Sequence, residues 1–178
     1  MKARQLTLVA MMTAVICVLS PWSIPLPFTA VPITLGTLGV CLAAGILGAK
    51  KGVLSVALFL VIGGVGVPVF SQFTGGFSHI AGPTGGYMAG YLLLALSTGW
   101  FIDRFGCRLF AIVCGMALGL AACYALGTVW LSVQSGMTIA QALMAAVVPF
   151  IPGDLLKLTL AASLVRVLRP QLERRFAF

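Results

Sequence analysis

Residues 5 to 49, 52 to 102 and 109 to 153 carry no Asp, Glu, Lys or Arg, and this spacing of charge constrains the fold more than any motif does. One membrane crossing needs about 20 apolar residues, so each stretch must hold more than one element. Over the whole chain 61% of residues are apolar and 8% are charged, against roughly 25% charged in a soluble domain, which argues against a water-soluble fold. Backbone groups in hydrocarbon must be satisfied internally, which leaves helices or a closed barrel. The apolar runs lack the alternation of barrel strands, so the expected class is an all-α membrane protein. No low-complexity linker or charge run divides the chain, and residues 1–178 read as one integral membrane domain.

Ten of the 11 basic residues fall in four clusters: Lys2 and Arg4; Lys50 and Lys51; Arg104 and Arg108; and Arg166, Arg169, Arg174 and Arg175. Two crossings between successive clusters put all four on the cytoplasmic side, as the positive-inside rule requires. The expectation is six transmembrane helices, near residues 5–21, 33–49, 52–68, 84–102, 109–133 and 139–168, with both termini cytoplasmic. The start, MKARQLTLVAMMTAV, has the basic and apolar parts of a signal peptide but no A-x-A site before the prolines of 21 to 27, so it is read as a retained first span. The net charge of +8 is too evenly spread to make a nucleic-acid patch. The five cysteines form no C-x-x-C pair and suit packing rather than metal or disulfides.

The outer connections differ from the short cytoplasmic ones. PWSIPLPFTAVPIT (21 to 34) has four prolines that forbid regular helix, with Trp22 and Phe28 suited to an interface. VFSQFTGGFSHIAGPTGGY (69 to 87) holds five glycines, the single histidine His79 and three phenylalanines. Its aromatic content favours a loop packed over a cavity rather than one lying in water. The last apolar run is anomalous as well. From Met137 to Arg169 it counts 33 residues, about 50 Å as one helix against a ~30 Å core. Pro149 and Pro152 are expected to break it and leave a half-helix that starts within the membrane after Gly153. Discontinuous helices of this kind build substrate sites in transporters.

On that half-helix, in PFIPGDLLK (149 to 157), sit an acid and a base with no other charge between Arg108 and Arg166. Asp154 and Lys157 share a face at i,i+3, and 1.5 Å per residue puts Lys157 ~18 Å and Asp154 ~22 Å from Arg169. A lone charge at such depth costs about 2.5–3.5 kcal/mol on insertion scales. A bland reading makes Asp154 an N-cap and Lys157 its counter-ion. Ser or Asn would cap without that cost, so a small polar ligand is the stronger reading, its N–H groups met by the carboxylate and its carbonyl or carboxylate by the ammonium. Enzyme chemistry fits poorly: Asp103 and Glu173 lie on the cytoplasmic side, no metal ligands cluster, and no G-x-x-x-x-G-K-[ST] motif exists for using ATP.

IPLPFTAVPITL (24 to 35), GPTGGYMAGY (82 to 91) and PFIPGDLLK, in this order, resemble the BioY family, the biotin-binding S-components of energy-coupling factor (ECF) transporters. The resemblance covers nearly the whole chain. It implies an S-component-like bundle of six helices in a prokaryotic cell membrane, biotin captured from outside as a ligand with no cofactor, and assembly with a transmembrane coupling subunit and two cytoplasmic ATPase subunits. It further implies a substrate site of Asp154 and Lys157 with the glycine-rich loop of Gly82, Thr84, Gly85, Gly86 and Tyr87. Phe28, Phe77 and Tyr87 are candidate aromatic walls, and His79 a candidate contact. Either end of biotin suits Lys157. The chain departs from the family at Gly36, where Gln is usual, so Gly36 is left out of the site. Ala10 and Ala14 form a small-x-x-x-small face that the resemblance assigns to docking the coupling subunit. The alternatives are a solitary biotin transporter without ATPase partners, a scaffold membrane protein, and an enzyme acting on a lipid or prenyl substrate.

Overall fold

The computed structural model describes residues 3–27 and 29–176. Helix α1 (Ala3–Leu19) follows the first apolar run and ends just before Pro21, beyond which the chain turns into a proline-rich strap. Within the strap two short strands, β1 (Ser23–Ile24) and β2 (Ile33–Thr34), pair antiparallel with Ser23 opposite Thr34. They are the only named strands among the described residues and a small departure from the all-α expectation. Helix α2 (Gly36–Leu47) has 12 residues, about 18 Å, well short of a ~30 Å hydrocarbon core. The expected span 33–49 is therefore part strap and part helix, because Thr34 accepts the Gly36 N–H with its side chain and starts the helix late.

Only Gly48 separates α2 from α3 (Ala49–Gly64). Its φ of +79° is one that L side chains rarely adopt. The Ala49 N–H donates to Asp103 Oδ2 at 2.8 Å, which pins this turn onto the far end of α5. The turn thus precedes Lys50 and Lys51, which lie in the first turn of α3 rather than between helices. The outer loop that follows is structured, with a bridge between Phe70 and Thr74 and the short helix α4 (Phe77–Ala81).

Helices α5 (Gly85–Phe105) and α6 (Leu109–Ser135) pack along a seam of small residues. A Cβ on Gly90 would stand 2.8 Å from Cys123 Cα, and one on Gly119 2.8 Å from Leu94 Cα, so the backbones approach as closely as small-x-x-x-small helix pairs do. Across the bundle α2 packs on α8, where Gly45 leaves room for Val165. The expected last span is two helices, α7 (Ile139–Ala146) and α8 (Ile151–Phe176), joined by a tight turn at Val148–Phe150. The break thus falls at Val147 to Phe150, ahead of its expected place. Pro152 lies in the first turn of α8, where no backbone donor is required of it, and Asp154 sits inside that turn rather than at an N-cap. Helix α6 and the run Ile139–Arg175 are long and apolar enough to cross a membrane, while α1 and α2 are shorter apolar helices.

On the side away from the strap, Arg169 of α8 donates to Asp103 at 3.1 Å, Glu173 at 2.7 Å and the Gly45 carbonyl at 3.1 Å. This clamp joins α8 to α5 and to the end of α2. Every acid in the chain is ion-paired, since the third, Asp154, meets Lys157.

Candidate functional site

The first turns of α8 carry Asp154 and Lys157 into the bundle with only 4% and 9% of their surface exposed. Asp154 Oδ1 accepts from Lys157 Nζ at 2.7 Å and from Thr37 Oγ1 at 3.4 Å, and Oδ2 accepts from the Tyr124 hydroxyl at 2.5 Å. Lys157 Nζ also donates to the Thr34 carbonyl at 2.7 Å. One buried ion pair thus ties together α8, the strap, α2 and α6. Removing either partner would leave a charge buried without compensation.

The pair forms the floor of a cavity of about 40 Å³. Val31, Pro32, Ile33 and Thr34 of the strap form one wall, Thr37 of α2 and Leu120, Cys123 and Tyr124 of α6 others, and Tyr87, Tyr91 and Phe150 complete it. All three tyrosines of the chain therefore face one small space. Tyr87 donates to the Ala146 carbonyl at 3.4 Å, and its ring lies against Gly127, where a Cβ would come within 2.3 Å of the ring carbon Cδ1. A Cβ on Gly36 would stand 3.1 Å from the Tyr91 hydroxyl, so the glycine left out of the site makes room for a side chain that lines it. Neutral hydroxyls, one neutralised charge pair and apolar walls suit a compact, uncharged polar group.

The comparisons with known proteins agree on what kind of chain carries this arrangement. The sequence profile of the BioY family matches residues 1–174. The chain belongs to the BioY family. It is 35% identical to the biotin transporter BioY of Lactococcus lactis subsp. cremoris over 96% of this chain and 93% of that protein. Against the biotin transporter BioY of Thermotoga maritima the identity is 38%, over 96% and 99%. The structure resembles the crystal structure of an S-component for biotin from an ECF-type ABC transporter, with a TM-score of 0.88, 35% identity, and 95% and 92% of the two chains covered.

Within this BioY-family chain the expected site residues divide. Asp154, Lys157 and Tyr87 meet at the cavity. The rest of the glycine-rich loop does not line it. Gly85 and Gly86 are packing positions, where Ile80 and Trp130 leave no room for a Cβ. Gly82 accepts from the Trp130 ring N–H at 2.8 Å, and Thr84 donates to the His79 carbonyl at 3.4 Å. That loop anchors the start of α5 to α6 and so aims Tyr87. Phe77 is 73% exposed on α4, away from the cavity, because its helix has no buried residues to turn it inward. His79 stacks on Phe70 with ring centroids 5.5 Å apart and pairs with Thr74 at 3.4 Å. Its Nε2 is buried with no partner among the described residues, and burial pushes its pKa below 6.5. Phe28 lies outside the described residues. Ala10 and Ala14 are both exposed on α1, on a face shared with Leu6, Met11 and Val18.

Thr34, Thr37, Tyr91, Tyr124 and Phe150 are the lining residues that sequence reading missed. Tyr91 was within reach, since it follows Tyr87 by four positions on one helix and so shares its face. Tyr124 had a weaker signal as the only tyrosine between Arg108 and Asp154. Thr34 contributes a backbone carbonyl, which no side-chain pattern reports.

Proposed function

We propose that this chain captures biotin from the outside as the substrate-specific subunit of an ECF-type transporter, and is not an enzyme. The observation that carries the reading is the buried, internally neutralised Asp154–Lys157 pair at the floor of a tyrosine-lined cavity, in a chain of a family whose named relatives are biotin transporters. Asp154, Lys157, Tyr87, Tyr91, Tyr124, Thr34 and Thr37 form the polar site, with Phe150 and Val31 as apolar walls. A cavity of about 40 Å³ is smaller than the ~150 Å³ that holds a benzene ring, so a bicyclic ligand enters only as a wall moves. The strap is the wall with the least regular structure, two paired residues on each side of a proline-rich turn.

The same reading takes residues 1–178 as one membrane domain with six crossings, both termini in the cytoplasm of a prokaryotic cell. The strap, α4 and α7 lie outside and the Arg169 clamp inside. Four basic clusters fall on the clamp side in that arrangement. The exposed Ala10 and Ala14 face of α1 serves a coupling subunit, and two ATPase subunits supply the energy this chain has no motif to provide. Titration calorimetry on the purified chain tests the core of the proposal: one equivalent of biotin bound, and lost in Asp154→Asn, is the expected result. A chain that folds and takes up no biotin overturns it.

A further inference from the structure

We infer that the ligand enters with its neutral ureido ring against Asp154 and Lys157 and its carboxylate tail pointing outward, so that the site also accepts biotin amidated at the tail, biotinyl-lysine being the simplest case. This deepens the biotin reading and rests on it. The deciding observation is charge. Lys157 is no free cation, because Asp154 lies 2.7 Å from its ammonium and the Thr34 carbonyl takes a second proton. A carboxylate brought to Lys157 would arrive beside the Asp154 carboxylate, giving the buried site a net negative charge. No other charged side chain lines the cavity to offset it. A ureido ring leaves the site neutral.

The remaining valences agree. An ionised carboxylate offers about four acceptor positions. Lys157, Thr37 and Tyr124 occupy three on Asp154. Among the described residues Lys157 uses two of its three protons. One acceptor and one donor are left side by side. The five-membered ureido ring holds an N–H and its C=O on the same edge and meets both at once, whereas a carboxylate has no proton to give the acceptor.

The tail then needs a polar way out. A crevice of about 270 Å³ lies between Thr29 and Ala30 of the strap and Leu131, Ser135 and Ala145 of α6 and α7. It adjoins the cavity, since Ala30 precedes the wall residue Val31 and Ala145 precedes Ala146, whose carbonyl holds the Tyr87 hydroxyl. The hydroxyls of Thr29 and Ser135 make it wettable. The groove on the other side of β2, between Leu35, Leu38, Leu156 and Leu160, would leave a carboxylate among aliphatic side chains.

Competition against labelled biotin on the purified, detergent-solubilised chain separates the orientations. Biotinyl-lysine should compete within about 10-fold of free biotin, a difference of ~1.4 kcal/mol. Iminobiotin, whose guanidinium is cationic at neutral pH, puts a positive charge where Lys157 expects a carbonyl and should bind about 100-fold more weakly or worse. Loss of biotinyl-lysine binding, or iminobiotin binding as well as biotin, overturns the inference while leaving biotin as the ligand. Failure of free biotin to bind overturns the underlying reading instead.

Discussion

Gly127→Ala tests whether the α5–α6 seam aims the site. The added Cβ would stand 2.3 Å from Tyr87 Cδ1 and 2.4 Å from Cε1, whereas carbon atoms rest at about 3.5–4.0 Å. The ring must therefore retreat by ~1 Å or more. It is held at both ends, by the helix backbone and by the hydroxyl's bond to Ala146 at 3.4 Å, which would stretch beyond hydrogen-bonding range. Overpacking of this kind costs about 1–3 kcal/mol, and a chain of this size loses ~2–4 °C of melting temperature per kcal/mol. A wall displaced by that much should weaken biotin binding by about 10-fold, equivalent to ~1.4 kcal/mol. Gly153→Ala is the matched control. It lies one residue from Asp154 with nothing within 4 Å of its Cβ position, and alanine in a helix is favoured over glycine by ~0.5–1 kcal/mol. It should melt no lower than the parent and bind as tightly. Thermal unfolding in detergent with calorimetric titration reads both variants. Unchanged melting and affinity in Gly127→Ala would show that the seam yields freely and does not position Tyr87.

Asp154→Asn should weaken biotin binding by more than ~1 kcal/mol while the chain still inserts. Lys157→Met, which strands a buried carboxylate, should destabilise the fold by roughly 3–5 kcal/mol, and the double variant should recover part of that stability without recovering binding; unfolding midpoints that simply add would refute the pairing. Arg169→Met removes the clamp to Asp103, Glu173 and Gly45 and should lower the melting temperature by several degrees, ~1–3 kcal/mol, with biotin affinity intact because the site lies ~18 Å along α8. His79 has its pKa lowered by burial, so its contribution to stability is complete above its unfolded value near 6.5 and is lost as pH falls below it. His79→Phe keeps the stack on Phe70 and should flatten the melting profile between neutral and acid pH, and a profile unchanged by the substitution would remove the histidine from the explanation. Ala10→Trp with Ala14→Trp should leave biotin binding intact and abolish co-purification with the coupling subunit; loss of both together would make that face internal.

Charge-free stretches carried the helical membrane architecture into the sequence reading, and the helices α1, α3, α5 and α6 begin and end within four residues of their expected limits. What failed was length by composition. Residues 33 to 49 are apolar enough for a full span, yet Thr34 pairs with Ser23 and the helix starts only at Gly36. Hydropathy does not distinguish an apolar strand from an apolar helix over so few residues. In the site, the isolated charges of Asp154 and Lys157 were conspicuous because nothing else in that region is charged. Their partners were not. Tyr124 and Thr37 lie 30 and 117 residues away in sequence from the carboxylate they serve, and only assembly of the bundle brings them to it. The glycine-rich loop was noticed for the right reason and given the wrong geometry, because close backbone approach serves helix packing against Trp130 as readily as it serves a ligand.

The i,i+3 spacing of the ion pair also bears on how the chain reaches the bilayer. Asp154 and Lys157 belong to one helix and sit 2.7 Å apart, so α8 carries its own counter-ion before it meets any other segment. A helix presenting the two charges on opposite faces would have to wait for a partner, exposing each to lipid at ~2.5–3.5 kcal/mol on insertion scales. Here the formally charged segment can leave the translocation channel nearly neutral, and the later arrival of Thr37 and Tyr124 completes the hydrogen bonding. The local pairing that readies the binding site thus makes its biogenesis independent of the order in which the helices assemble.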